Sequence, residues 1–119
     1  MKKTLVFGAS LKENRFSYQA ATRLRENGME TLGFGLVAGD IQGIRITTQM
    51  PTENDFHTIT IYMNPGRQKM YYESIIDLRP QRVIFNPGTE NPEFYNLLVE
   101  DSIFFEEACT LTLLAIGQY

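Results

Sequence analysis

An α/β fold, a three-layer Rossmann-like sandwich on a mostly parallel sheet with helices on both faces, is predicted for this chain by three observations. Apolar runs of strand length alternate with segments of helical spacing. The first run, Thr4-Leu5-Val6-Phe7, breaks at Gly8, and Phe16, Ala20, Ala21 and Leu24 follow at helical spacing. Two later strands run into Asn-Pro-Gly, at Asn64-Pro65-Gly66 and Asn86-Pro87-Gly88, and each turn leads into another helical stripe.

Thr4 to Phe7 is continuously apolar rather than alternating, as a strand buried on both faces must be. The first helix is expected from Arg15 or Phe16 to Asn27, with Gly28 as its stop, and a second strand from Met29 to Phe34. Gly35 to Gly43 reads as a glycine-punctuated loop, and Ile44-Arg45-Ile46-Thr47 alternates like a short strand near the sheet edge. Met50 to Asp55 is a connection, and Thr58 to Met63 is a β-branched strand. At the first Asn-Pro-Gly turn, Asn64 suits an N-cap and Pro65 the first helical position. Tyr71, Ile75 and Leu78 mark the stripe of the next helix, which Pro80 closes. Arg82 to Phe85 is a strand, and Phe94, Leu97 and Leu98 share the face of a further helix. Ser102 to Phe105 reads as a last short strand. The tail, Ala108 to Ile116, suits strand or helix and leans to helix.

The chain of 119 residues has the size of one domain, residues 1–119. Its 43% apolar content can support a core. Lys and Arg number 11 against 14 Asp and Glu, so no basic footprint for nucleic acid exists. A single cysteine, Cys109, excludes an internal disulfide or a multi-cysteine metal site. No stretch approaches the roughly 20 apolar residues of a membrane span, and the start lacks a signal-like core. A soluble cytoplasmic protein, with no membrane or nucleic-acid partner, is the expectation; a homodimer is plausible for so small a sheet.

Open α/β sheets bind ligands beyond the carboxyl ends of their strands, where strand order reverses. Four loops should meet there: Gly8 to Asn14, Gly35 to Asp40, Asn64 to Arg67 and Asn86 to Asn91. They carry Gly, Asn, Ser, Thr and Arg, which offer close backbone approach and donors for phosphate and hydroxyl oxygens. A helix start after the first loop adds unpaired N–H groups and the positive end of a dipole, a pocket suited to phosphate. Arg15 stands where a cation opposes that dipole unless an anion lies nearby, which makes it the leading phosphate candidate. Each of these residues also has a structural explanation: Gly8 as a plain turn, Ser17 as a cap, Asn64 and Asn86 as caps or turn formers. The dinucleotide fingerprint is incomplete, because Ser10 and Glu13 stand where it needs glycine, and the second strand ends without a carboxylate. His57 has no nucleophile or acid partner in sequence, and Cys109 suits a small buried hydrophobe. Glu90 fits a solvated loop carboxylate, and Tyr71-Tyr72 fits helix packing. No catalytic pair, paired carboxylates or metal cluster can be assembled.

Phe7-Gly8-Ala9-Ser10, followed by Asn14-Arg15-Phe16-Ser17 entering a helix, resembles the opening of the CoA-binding domain family. That family includes small standalone proteins and the N-terminal domain of succinyl-CoA synthetase alpha subunits. The likeness continues through Ile41-x-Gly43, Asn64-Pro65 and Asn86-Pro87-Gly88-x-Glu90-Asn91, and weakens after about Glu106. It implies CoA or an acyl-CoA as ligand. Gly8, Ala9, Ser10, Asn14, Arg15, Phe16 and Ser17 would face the phosphates and nucleotide. Gly35, Asn64, Pro65, Asn86, Pro87 and Gly88 would line the rest of the crevice. The histidine that is phosphorylated in the synthetases belongs to a domain not found here, so the resemblance implies binding, in a carrier, sensing or regulatory role, rather than catalysis. Two rivals are an NAD(P)-dependent oxidoreductase and an interaction protein that keeps the fold without its ligand.

Overall fold

The computed structural model describes residues 2–119. The elements are β1 (Thr4–Ala9), α1 (Phe16–Glu26), β2 (Thr31–Gly35), β3 (Gly39–Ile41), β4 (Ile44–Thr47), β5 (Thr58–Ile61) and α2 (Pro65–Gln68). A 3-10 turn, Lys69–Tyr71, joins α2 to α3 (Tyr72–Asp77), and β6 (Arg82–Phe85), α4 (Pro92–Glu100), β7 (Phe105–Glu107) and α5 (Thr110–Ala115) complete the chain. The seven strands lie in the order β3-β4-β2-β1-β5-β6-β7. Every neighbouring pair is parallel except β3 with β4. This is the expected three-layer, Rossmann-like α/β sandwich.

Alternation along each central strand sends its side chains into two cores. Leu5, Phe7, Ile59, Ile61, Val83 and Phe85 pack against Tyr72, Ile75 and Leu78 of the α3 segment and Phe94 and Leu98 of α4. Val6, Ile84 and Ile46 face Ala21 and Leu24 of α1 and Leu114 of α5. Phe94 stacks on Tyr72 with centroids 4.4 Å apart and meets Phe85 edge-on. β1, β5 and β6 are buried along nearly their whole length because both of their faces are covered.

Two expected boundaries shift for one physical reason, and a hairpin replaces part of an expected loop. Helices α1, α3, α4 and α5 are each followed by a residue at positive φ: Gly28, Arg79, Ser102 and Gly117. After α4, the Ser102 and Ile103 N–H groups turn back to the Val99 and Leu98 carbonyls, and Ile103 joins Leu98 in the core. This capping motif satisfies carbonyls the helix would otherwise leave open. It uses up Ser102 and Ile103, so β7 is Phe105–Glu107 rather than Ser102 to Phe105. After α1, Met29 N–H goes to the Leu24 carbonyl in the same way, which delays β2 to Thr31. The supposed loop Gly35 to Gly43 holds a strand of its own: β3 and β4 form a hairpin closed at Gln42-Gly43, both at positive φ. Such a two-residue turn matches strand twist. It leaves β4 one strand in from the edge. The tail forms the helix to which its sequence leaned.

Candidate functional site

Strand order reverses beside β1, since the chain builds outward through β2 and β4 on one side and β5, β6 and β7 on the other. The carboxyl ends of β1, β2, β5 and β6 therefore frame a crevice, and the predicted loops leave from them.

Gly8 sits at φ +96° in a bulge between the pairs Phe7–Phe34 and Ala9–Gly35. A Cβ there would lie 2.9 Å from the Tyr62 carbonyl carbon, so the backbone just past β5 presses against it. Gly35 is tighter still, since its Cβ would meet the Ala9 carbonyl oxygen at 2.1 Å. Close backbone packing thus accounts for both glycines without a ligand. The same packing draws the ends of β1, β2 and β5 together beneath the first loop.

In that loop Ser10 Oγ accepts from the Lys12 amide at 3.1 Å. Arg15 is the N-cap residue of α1, extended at φ −84° and ψ 143°; no side chain caps the helix, and its first turn holds no acid. Asn14, Arg15 and Phe16 are exposed while Ser17 is buried. Among the described residues the Arg15 guanidinium forms no ion pair. Exposed Leu36 and Val37 follow β2, and Leu11 reaches the backbone of Gly39 at the start of β3. These three give the crevice an apolar rim that the sequence reading did not single out. An apolar pair inside a glycine-punctuated loop was the available signal.

The far wall is tied down by side-chain amides. Asn64 Oδ1 caps α2 by accepting from Arg67 N at 3.0 Å, and Pro65 occupies its first turn. Asn86 is buried; its Nδ2 donates to Thr60 Oγ1 and the Ile61 carbonyl, and its Oδ1 accepts from Thr110 N at 2.9 Å. Its side chain is engaged by the protein, leaving Pro87 and Gly88 exposed at the loop tip. Gly88 has φ +92° and open space around it, and its N–H donates to Glu90 Oε1 at 2.8 Å. Glu90 thus closes the loop onto itself. Asn91, the last residue of the predicted Asn86 to Asn91 loop, forms a buried pair in this wall with Gln68, which no sequence pattern marked.

Beside Asn86, Thr60 and Thr110 join their hydroxyls at 2.7 Å. Neither bonds the Tyr62 hydroxyl, which is buried without a partner among the described residues. Burial pushes that phenol well above its ordinary pKa, partly offset by the nearby Thr110 and Thr60. Burial also pushes the Cys109 thiol up, but hydrogen bonds from Thr112 and the Leu111 amide outweigh it and leave the thiol below its ordinary value. Cys109 is half-buried and precedes α5, less enclosed than the small buried hydrophobe expected of it. His57 lies at the opposite end of the sheet, with Nδ1 2.7 Å from Thr58 Oγ1. Among the described residues no cluster of His, Cys, Asp and Glu could hold a metal ion, and no helix is long and apolar enough to cross a membrane. A groove of about 690 Å³ between α3 and α4, lined by Lys69, Glu73, Ile76 and Leu97 among others, contains none of the predicted site residues.

Comparison with known proteins bears on this geometry. A solved structure described as an uncharacterized protein is 42% identical, with TM-score 0.96, covering 100% of this chain and 98% of its own. A protein from Thermus thermophilus shares the fold at 19% identity and TM-score 0.84, over 99% of this chain and 91% of its own. A conserved hypothetical protein from Pyrococcus furiosus does so at 18% identity and TM-score 0.81, over 94% and 98%. Comparison with curated proteins gave no match. The sequence profile described as "CoA binding domain" matches residues 2–115, nearly the whole chain. A bulged glycine turn, an uncapped helix start and two Asn-Pro loops around one crevice thus accompany a match of that extent, and the chain belongs to the CoA-binding domain family.

Proposed function

We propose that this protein binds CoA or an acyl-CoA in the crevice between the carboxyl ends of β1, β2, β5 and β6, as a one-domain binding module with a carrier, sensing or regulatory role and no catalysis of its own. The observation that carries this reading is the start of α1. It opens at the strand-order reversal with no protein cap and an exposed, unpaired Arg15 beside it. Orphan N–H groups and a nearby cation form a phosphate site. In this reading Ser10, Asn14, Arg15, Phe16 and Ser17 take the phosphates and nucleotide. Gly8, Ala9 and Gly35 form the floor, and Asn64, Pro65, Asn86, Pro87 and Gly88 form the wall. The apolar rim of Leu11, Leu36 and Val37 offers a surface for a flat base or an acyl chain. A cytoplasmic location and a homodimer belong to the same proposal.

Calorimetric titration and thermal shift with CoA, NAD and ATP test it. A ligand present at 100 times its dissociation constant adds about 2.7 kcal/mol of stability. The expected result is a shift with CoA that is absent with NAD and is lost in Arg15→Glu. A shift with NAD alone supports the oxidoreductase alternative, and no shift with any ligand supports a protein that has kept the fold alone.

A further inference from the structure

We infer that Gln68 is a positioning residue: paired with Asn91, it locks the loops after β5 and β6 into one preformed wall of the crevice, and ligand affinity depends on it although it does not touch the ligand. The inference rests on the CoA reading above.

Gln68 is the last residue of α2 and is fully buried. Its Nε2 donates to the Met63 carbonyl at 2.7 Å and to the Thr89 carbonyl at 2.9 Å. Those two carbonyls belong to different loops, so one amide group ties them together. Its Oε1 accepts from Asn91 Nδ2 at 2.9 Å. Asn91 gives its other proton to Tyr72 Oη at 2.8 Å, and its Oδ1 accepts from the Phe94 amide. Tyr72 in turn donates to Glu93 Oε1 at 3.1 Å. A primary amide has two donor protons, and both residues use both of theirs. Burying two amides beside an aromatic core would be unfavourable if any of these bonds were missing. A fully joined buried network fixes one geometry, because every alternative packing strands a polar group.

The loop it holds is fastened from both faces of the sheet. On the α3–α4 side Gln68 takes the Thr89 carbonyl; on the α5 side Asn86 bonds β5 and Thr110. Thr89 returns both its amide and its hydroxyl to the Asn86 carbonyl, at 3.0 and 2.7 Å. Between these fastenings only Pro87 and Gly88 are exposed, with the Gly88 N–H held by Glu90. A loop anchored at its flanks and open at its tip presents backbone to a ligand without the ordering cost that a mobile loop would incur on binding.

The test compares Gln68→Met, Asn91→Asp and Leu98→Ala with wild type, by amide hydrogen exchange of the ligand-free protein and by CoA titration. Met keeps the length and loses the bonds; Asp keeps the α4 cap and cannot donate to Gln68. Leu98→Ala is a core deletion outside the wall that lowers stability generally. In Gln68→Met the Thr89 amide should exchange faster by a factor at least ten times larger than the change at the core amides Ile59 and Ile61, which report global stability, and CoA should bind at least tenfold more weakly. Asn91→Asp should move both readouts the same way by less, and it decides the matter if Gln68→Met does not fold. Leu98→Ala should melt earlier and bind CoA as wild type does. Unchanged exchange at Thr89 overturns the clamp. Faster exchange with unaltered CoA affinity overturns its role in binding. Wild type that binds no CoA overturns the site reading itself, while the exchange data still decide whether the clamp exists.

Discussion

Helices α1 and α4 both start after parallel strands at the carboxyl edge of the sheet, yet they start in opposite ways. α4 is completed from within: Asn91 caps it, Pro92 fills its first turn and Glu93 complements the dipole. α1 has no cap, no acid in its first turn and a cation at its threshold. Orphan N–H groups and an uncompensated dipole are tolerated where water or an anion supplies what the protein does not. A helix start finished by its own residues is scaffold; one left open at a strand-order reversal is available to a ligand. The Asn64-Pro65 turn is finished in the same way, since Asn64 caps α2, whereas Asn86-Pro87 starts no helix and its Asn86 side chain ties β5 to Thr110.

The contrast breaks most severely at the base of the α1 start. Gly35→Ala would put a methyl group onto the Ala9 carbonyl. Denaturant unfolding should show a loss of about 4 kcal/mol, at the upper end for single substitutions. Asn91→Ala removes the α4 cap and strands Gln68, so stability should fall by about 2 kcal/mol in the same measurement. Arg15→Asp sharpens the contrast, because it finishes α1 as α4 is finished. The ligand-free protein should gain about 0.5–1 kcal/mol, while any CoA-dependent shift in melting temperature disappears. A variant that loses stability and still binds CoA would show that the open start has no binding role. The smallest effect lies at the other end of the sheet. Burial, then the charges of Arg82 and Lys2, hold the His57 pKa below its ordinary 6.5. The unfolded chain therefore takes up the proton more readily. The stability His57 contributes is intact above about pH 6.5 and falls as pH drops toward its folded value. Melting temperatures from pH 7.5 to 5.5 should decline less steeply in His57→Gln, over about two pH units below which carboxylates take over.

The periodic parts of this molecule were legible in sequence. Continuous apolar strands and helical stripes state which faces are covered, and the three layers follow from them. The Asn-Pro-Gly turns followed the ends of strands, whereas Gly8, expected to end the first strand, is a bulge inside β1, which continues to Ala9. What misled was chemistry read over short range: Met29 and Ser102 resemble strand residues, but backbone bonds that finish the preceding helix claim them. The β3–β4 hairpin was hidden because Gln42-Gly43 is a weaker turn signal than Asn-Gly. The site itself was legible only as a set of loops. Gln68 lies at the end of a four-residue helix, and its partners are 5, 21 and 23 residues away. Nothing in local pattern connects such residues, whereas the topology brings them together.

The central claim is that the open start of α1 is where a ligand's negative charge is held. Titrating CoA into isotopically labelled protein and following backbone amide resonances tests it directly. The largest shifts are expected at Ser10, Phe16 and Ser17, with a second group at Gly88, and the first group should be lost in Arg15→Asp. Shifts concentrated instead on Lys69, Glu73 and Leu97 of the α3–α4 groove, with the start of α1 unmoved, would contradict it.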